Sequence, residues 1–210
     1  CMQVSNETGA IQPVAELAKL ARSKNPNVRV HVDGVQGFMR VPMHMERTGV
    51  DLYALSGHKI HGPKGIGVLA IRSGVRLIPQ ITGGGQEKGL RSGTYNSPAI
   101  LGLHEAVKTL AADKEAVSRM REMKAHLWTL LSQEEGIQLN GPKPNEADSA
   151  PHILSLSFDG VRGEVMRNAL EGEGILAATG SACASHKQKV SSTLRAMGLT
   201  QAQADGTIRV

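Results

Sequence analysis

The feature that most constrains this chain is that its apolar runs of strand length stop at polar, glycine-bearing segments, with helical text between them. Residues 1–5 read as a short strand that ends in the turn Asn6-Glu7-Thr8-Gly9. Pro13 stands where a first helical residue is tolerated, and Val14, Leu17, Ala18, Leu20 and Ala21 recur at helical spacing until Pro26 stops the pattern. Val28, Val30 and Val32 then make a β-branched strand that leads to Asp33. Residues 50–55 read as a buried strand, which runs into Ser56-Gly57-His58-Lys59-Ile60-His61-Gly62-Pro63-Lys64-Gly65, and 67–71 read as a further strand. Strands alternating with helices imply parallel β-α-β units in an α/β sheet. In such sheets ligands collect beyond the carboxyl ends of the strands, which places Asn6, Asp33 and residues 56–59 at one edge.

Residues 82–94 form a glycine-rich polar loop whose backbone donors can face an anion or a partner subunit, although no nucleotide P-loop pattern is present. The text over 97–133 is helical, with Pro98 near its start. Leu101, Leu103, Ala106, Val107 and Leu110 make one apolar stripe; Val117, Met120, Met123, Leu127 and Leu131 make a second, in which the methionines read as core filler. After a loop at 140–151, residues 153–158 read as a strand, 163–171 as a helix and 175–178 as a short strand. A loop at 179–189 precedes a last helix marked by Val190, Leu194 and Met197 and closed by Gly198.

With 210 residues, 40% hydrophobic and 20% charged, the chain is long and apolar enough to bury a core. Aromatic residues make up 2% and glycines number 24, so that core rests on aliphatic side chains and Met, with many tight turns. The net charge of +5 comes from scattered Lys and Arg without interleaved aromatics. Direct nucleic-acid binding is therefore not expected, and an anionic ligand accounts for the balance as well. The sequence has neither an apolar stretch of roughly 18 residues nor a basic-then-apolar leader, so no membrane span is expected. Two cysteines, Cys1 and Cys183, stand in dissimilar surroundings, which argues against a disulfide scaffold and for a reducing, cytoplasmic setting. Cys1-Met2-Gln3-Val4 reads as the inside of a strand, with Cys1 in the core, and Thr207-Ile208-Arg209-Val210 stops in mid-strand. Both ends are expected to be cut from a longer protein.

Several residues are candidates for chemistry. A lysine beside cationic or desolvated groups sheds its proton more readily and can attack a carbonyl, and both Lys59 and Lys64 stand in such a stretch. Asp33, at the end of a valine-rich strand, suits a pyridinium nitrogen, which it would keep protonated as an electron sink; a helix N-cap is the plainer alternative. Gln36, three residues on, reaches the same region. Cys183 lies among small and polar residues, unlike a core cysteine, and nearby His186 and Lys187 favour its thiolate. His58-x-x-His61 lacks further ligands at metal-binding spacing, so no metal site is expected. Arg209 can clamp a carboxylate with two parallel hydrogen bonds, or be a surface residue.

Asn6-Glu7-Thr8-Gly9, His31-Val32-Asp33-Gly34-Val35-Gln36, Ser56-Gly57-His58-Lys59, Gly62-Pro63-Lys64-Gly65, Gly83-Gly84-Gly85-Gln86-Glu87, Arg91-Ser92-Gly93-Thr94 and Gly180-Ser181-Ala182-Cys183 occur in this order across nearly the whole chain. Together they resemble the NifS/IscS-like cysteine desulfurases, of the class V aminotransferase branch of fold-type I pyridoxal-phosphate enzymes. The resemblance implies an α/β fold: residues 1–112 as part of the large cofactor-binding domain, with a mostly parallel sheet and flanking helices, and 113–210 as a long linking helix and part of a smaller α+β domain. It also selects Lys59 over Lys64 as the residue that holds pyridoxal 5'-phosphate. Asp33 would pair with the ring nitrogen, Gln36 and Asn6 would lie by the ring hydroxyl and substrate, and Ser56 and His58 would bind the phosphate. Thr94 would reach the phosphate of a neighbouring subunit, which implies a homodimer. Cys183 would take the sulfur of L-cysteine as a persulfide, releasing alanine, and Arg209 would bind the substrate carboxylate. The implied recipients are sulfur-acceptor proteins, such as an iron–sulfur cluster scaffold or a tRNA-thiolation enzyme. Alternatives within the same resemblance are a selenocysteine lyase, another class V aminotransferase or lyase, or a fragment without catalysis. His186-Lys187-Gln188-Lys189 is more basic than the family's usual loop there, which bears on the choice of acceptor.

Overall fold

The computed structural model describes residues 1–180 and 191–210. They form two compact units, one of Cys1–Gln3 and Pro13–Lys114, the other of Val4–Gln12 and Glu115–Val210. The residues expected as a strand over 1–5 are thus shared between the units.

In the first unit, helix α1 (Val14–Lys24) follows Pro13 at its N-cap position. Glu16 lies in its first turn and Arg22 and Lys24 in its last, which suits the helix dipole. Strand β1 (His31–Asp33), helix α2 (Met45–Thr48), strand β2 (Leu52–Ser56) and strand β3 (Gly67–Ile71) come next, and helix α3 (Ser97–Ala112) closes the unit. The sheet order is β1-β2-β3. β1 and β2 are parallel with Asp33 opposite Ala54, whereas β3 runs antiparallel to β2. A parallel bridge from Met2 to Asp33 extends the sheet beyond β1.

The core of this unit is Val14, Ala18, Val30, Val32, Val50 and Tyr53. α1 buries a narrower face than its spacing predicts, because Leu17 and Leu20 are exposed and Val14 and Ala18 alone are buried. α3 differs in the same sense: Ala99 and Leu103 are its buried residues and Leu101 is exposed. Cys1, expected in the core, is exposed, although its backbone pairs with β1 at His31 and Asp33.

In the second unit, helix α4 (Ala116–Leu131) precedes strand β4 (Ile137–Leu139), strand β5 (Ser155–Phe158), helix α5 (Gly163–Gly172), helices α6 (Ser192–Ala196) and α7 (Gln201–Asp205), and strand β6 (Thr207–Arg209). β5 is the centre of an antiparallel sheet flanked by β4 and β6. Under it lies a closed polar network. Asn140 donates to Ser157 at 2.9 Å, Ser157 and Thr207 share a hydrogen bond of 2.9 Å, and Thr207 donates to the Gln203 carbonyl.

Of the stripe expected on α4, Val117, Met120, Leu127 and Leu131 are half-buried, and the place given to Met123 is corrected. Met123 is exposed and Lys124 is buried, because the helix faces acceptors rather than apolar side chains at that point. The Lys124 ammonium donates to Ser149 Oγ at 2.6 Å and to the Ala150 carbonyl at 2.7 Å. The strand expected over 175–178 is reduced to a bridge between Ala178 and Arg209. Among the described residues no helix is long and apolar enough to cross a membrane.

Candidate active site

Parallel pairing of β1 and β2 sends Asp33 and the residues after Ser56 out of the same sheet edge. Beyond β1 the chain turns at Gly34, whose N–H donates to the Ala54 carbonyl at 2.8 Å. A Cβ at Gly34 would collide with the Tyr53 ring, so this close approach requires glycine. Asp33 is half-buried, and its Oδ1 accepts from the Val35 N–H at 2.9 Å. Its second oxygen has no hydrogen bond among the described residues. Beneath it, burial and, secondarily, the Asp33 charge raise the Tyr53 phenol to about 12. The phenol therefore keeps its proton and donates it to Gln3 Oε1 at 2.7 Å.

β2 passes directly into a 3₁₀ helix, Gly57–Ile60, anchored by the fully buried Ile60. His61 ends it in the left-handed conformation, at φ 64°. Ser56 Oγ and His58 Nδ1 share a hydrogen bond of 2.6 Å, which joins the two residues expected at a phosphate. Lys59, between His58 and Ile60, is half-buried, and its amine has neither a hydrogen bond nor an ion pair among the described residues. Lys64, its rival by sequence, is exposed in the following turn. α3 packs on this segment at Gly102, where a Cβ would come within 2.6 Å of the Pro63 ring.

Gln36 is half-buried on the turn after Asp33. Thr94 is exposed on a loop that braces itself, with Gly93 N–H donating to Gln86 at 3.0 Å and Ser92 buried below it. In the other unit Asn6 and Arg209 lie together: Arg209 Nη1 donates to the Asn6 carbonyl at 2.6 Å. Cys183 lies outside the described residues. Among the described residues no group of three or more His, Cys, Asp or Glu is arranged to hold a metal ion.

Two residues near these positions escape a reading of the sequence. Glu7 is buried, accepting from Thr193 Oγ1 at 2.8 Å, and its Oε2 has no hydrogen-bond partner among the described residues. Arg40 reaches the backbone of Lys59. Glu7 had a signal, an acid inside a tight turn; Arg40 had none, since its reach depends on a bend at Met39 that no motif announces.

The aminotransferase class-V family model matches residues 1–208 of the chain. The chain belongs to the class-V aminotransferase family. Members of that family depend on pyridoxal phosphate. Among curated relatives, a "NifS/IcsS protein homolog" of Lactobacillus delbrueckii subsp. bulgaricus is 41% identical, over 100% of this chain and 54% of its own length. "Cysteine desulfurase IscS" of Proteus mirabilis is 38% identical, over 99% of this chain and 50% of its own. A solved "NifS-like protein" superimposes with a TM-score of 0.86 at 37% identity, covering 100% of this chain and 53% of the other. This class-V chain thus spans about half the length of the relatives it matches.

Proposed function

We propose that this chain carries the cofactor lysine, the ring acid and the sulfur-accepting cysteine of a pyridoxal-phosphate-dependent cysteine desulfurase. One observation carries the reading: Asp33 and the segment bearing Lys59 leave adjacent parallel strands at the same edge, with an amine that has no hydrogen bond or ion pair among the described residues. The names of the relatives point the same way.

The donor set fits the cofactor. Asp33 has an oxygen left over for a ring nitrogen, the Ser56–His58 pair offers a hydroxyl and an imidazole to a phosphate, and Lys59 offers an uncommitted amine. When bound, pyridoxal phosphate supplies an electron-poor ring that stabilises negative charge on the adjacent substrate carbon. Lys59 would hold the cofactor and, beside the bound substrate, would move a proton at that carbon. Gln36 and Asn6 would lie by the ring hydroxyl and the substrate. Arg209, which already holds the Asn6 carbonyl, orients the substrate carboxylate. Thr94 would reach the phosphate of a second copy in a homodimer. The Cys183 thiolate takes the sulfur of L-cysteine, so that a persulfide forms on the protein and L-alanine leaves. The sulfur then passes to an acceptor protein, an iron–sulfur scaffold or a tRNA-thiolation enzyme, in the cytoplasm.

The test is sulfide release from L-cysteine in the presence of a reductant. Cys183→Ser is expected to abolish release while leaving the visible absorbance of the bound cofactor intact, and Lys59→Ala to abolish both. Sulfide release that persists in Cys183→Ser contradicts the role given to that cysteine.

A further inference from the structure

Arg40 makes a contact that neither the core nor the proposed reaction explains. Its Nη2 donates to the backbone carbonyl of Lys59 at 2.6 Å, across 19 residues of sequence. Its Nε and Nη1 are buried and have no hydrogen-bond partner among the described residues. Burial pulls the guanidinium below its ordinary pKa. A cation withdrawn from water with two idle donors is a net cost to the fold. The residue that delivers it is strained as well, since Met39 is held at φ 64°, a region that non-glycine residues seldom occupy.

What these costs support is visible at both ends of the loop. It starts at Asp33, and Gly34 N–H ties that start to β2 through the Ala54 carbonyl. It ends on the turn that follows β2. The Lys59 carbonyl belongs to the last residues of a four-residue 3₁₀ helix, whose terminal carbonyls have no partner inside the helix. A cationic donor suits that end of a helix, and its hydrogen bond is of the stronger, charged kind.

We propose that Arg40 is a positioning residue for Lys59: by gripping the Lys59 carbonyl from a loop that begins at Asp33, it sets the amine-bearing turn relative to the acid. This rests on the reading of Lys59 as the cofactor lysine. Its effect on the amine passes through the Lys59 backbone carbonyl that it holds.

The experiment compares Arg40→Met, Arg40→Gln and Arg40→Lys with the unaltered chain by three measurements: amide hydrogen exchange over residues 57–62 without cofactor, thermal unfolding, and cofactor affinity from visible absorbance. Losing one charged hydrogen bond is expected to speed exchange at the His61 and Gly62 amides about tenfold and to weaken cofactor binding about tenfold in Arg40→Met. Thermal unfolding should be unchanged or raised, because the idle donors go too. Arg40→Lys, which keeps a cationic donor, should recover most of both losses. Unchanged exchange in Arg40→Met overturns the proposal. So does a fall in thermal stability that Arg40→Lys does not repair, or failure of both Arg40→Met and Arg40→Gln to fold. If the unaltered chain binds no cofactor, the desulfurase reading fails, while the exchange rates still decide whether Arg40 holds the turn.

Discussion

Asp51 and Lys124 answer the same problem, a charge withdrawn from water, in opposite ways. Asp51 is fully buried at the start of β2 and accepts from the Val30 N–H at 2.8 Å. It is paired with Arg22 at 2.7 Å, with Arg72, and with Arg29 at 3.7 Å. Burial alone would raise its pKa, but the Val30 hydrogen bond and the Arg72 and Arg22 charges outweigh it and hold the carboxyl below its ordinary 3.8. As pH falls past that value the unfolded chain takes up a proton before the folded one, so this contribution is present above pH 3.8 and lost in acid. Asp51→Asn is expected to cost roughly 3 kcal/mol at neutral pH, by urea unfolding, since it strands three arginines. An unchanged midpoint would contradict that role. Lys124 has hydroxyl and carbonyl acceptors but, among the described residues, no paired carboxylate, and burial, with Arg121 second, lowers its pKa from 10.5 to about 8. Between those values the unfolded chain holds a proton that the folded chain has shed, so stability rises with pH across the window. Lys124→Met should remove that rise from a pH series of urea midpoints.

At the scale of elements, α3 is placed by what it lacks. Replacing a mid-helix glycine by alanine ordinarily gains about 1 kcal/mol of helix propensity. At Gly102 the added Cβ meets the Pro63 ring at 2.6 Å, and a proline ring gives way poorly. The expected sign is therefore reversed: Gly102→Ala should lose about 1–3 kcal/mol by overpacking, measured as a lower urea midpoint. A stabilised variant would show that α3 does not rest on the 61–65 turn. β1 and β2 are legible because apolar runs stop at polar residues, and α3 because Pro98 stands near its start. The antiparallel course of β3 was not, since a glycine-punctuated loop is compatible with either direction. β4 is three residues with a single polar–apolar alternation, too short to stand out. α7 carries its own start signal, the capping box of Thr200 and Gln203. The stripe on α4 misled because helical spacing marks which residues share a face and not what that face meets; at Lys124 it meets a hydroxyl and a carbonyl.

Across the whole molecule, the parts of the candidate site that could be read from sequence are those whose residue type and strand-end position both carry meaning. Asp33, Ser56, His58 and Lys59 satisfy both conditions. Arg40 satisfies neither, because its role arises from a contact 19 residues away along the chain; Glu7 stands at a strand end, but the threonine it accepts from lies 186 residues away. The central claim is that Lys59, and not its neighbour Lys64, holds a pyridoxal phosphate whose ring nitrogen is met by Asp33. The most direct measurement is reduction of the cofactor-loaded chain with borohydride, followed by peptide mass mapping, alongside Asp33→Ala. The account predicts the pyridoxyl mass on Lys59, with Asp33→Ala retaining the attachment at lower affinity and a shifted visible spectrum. A label on Lys64, no label at all, or a spectrum indifferent to Asp33→Ala would contradict it.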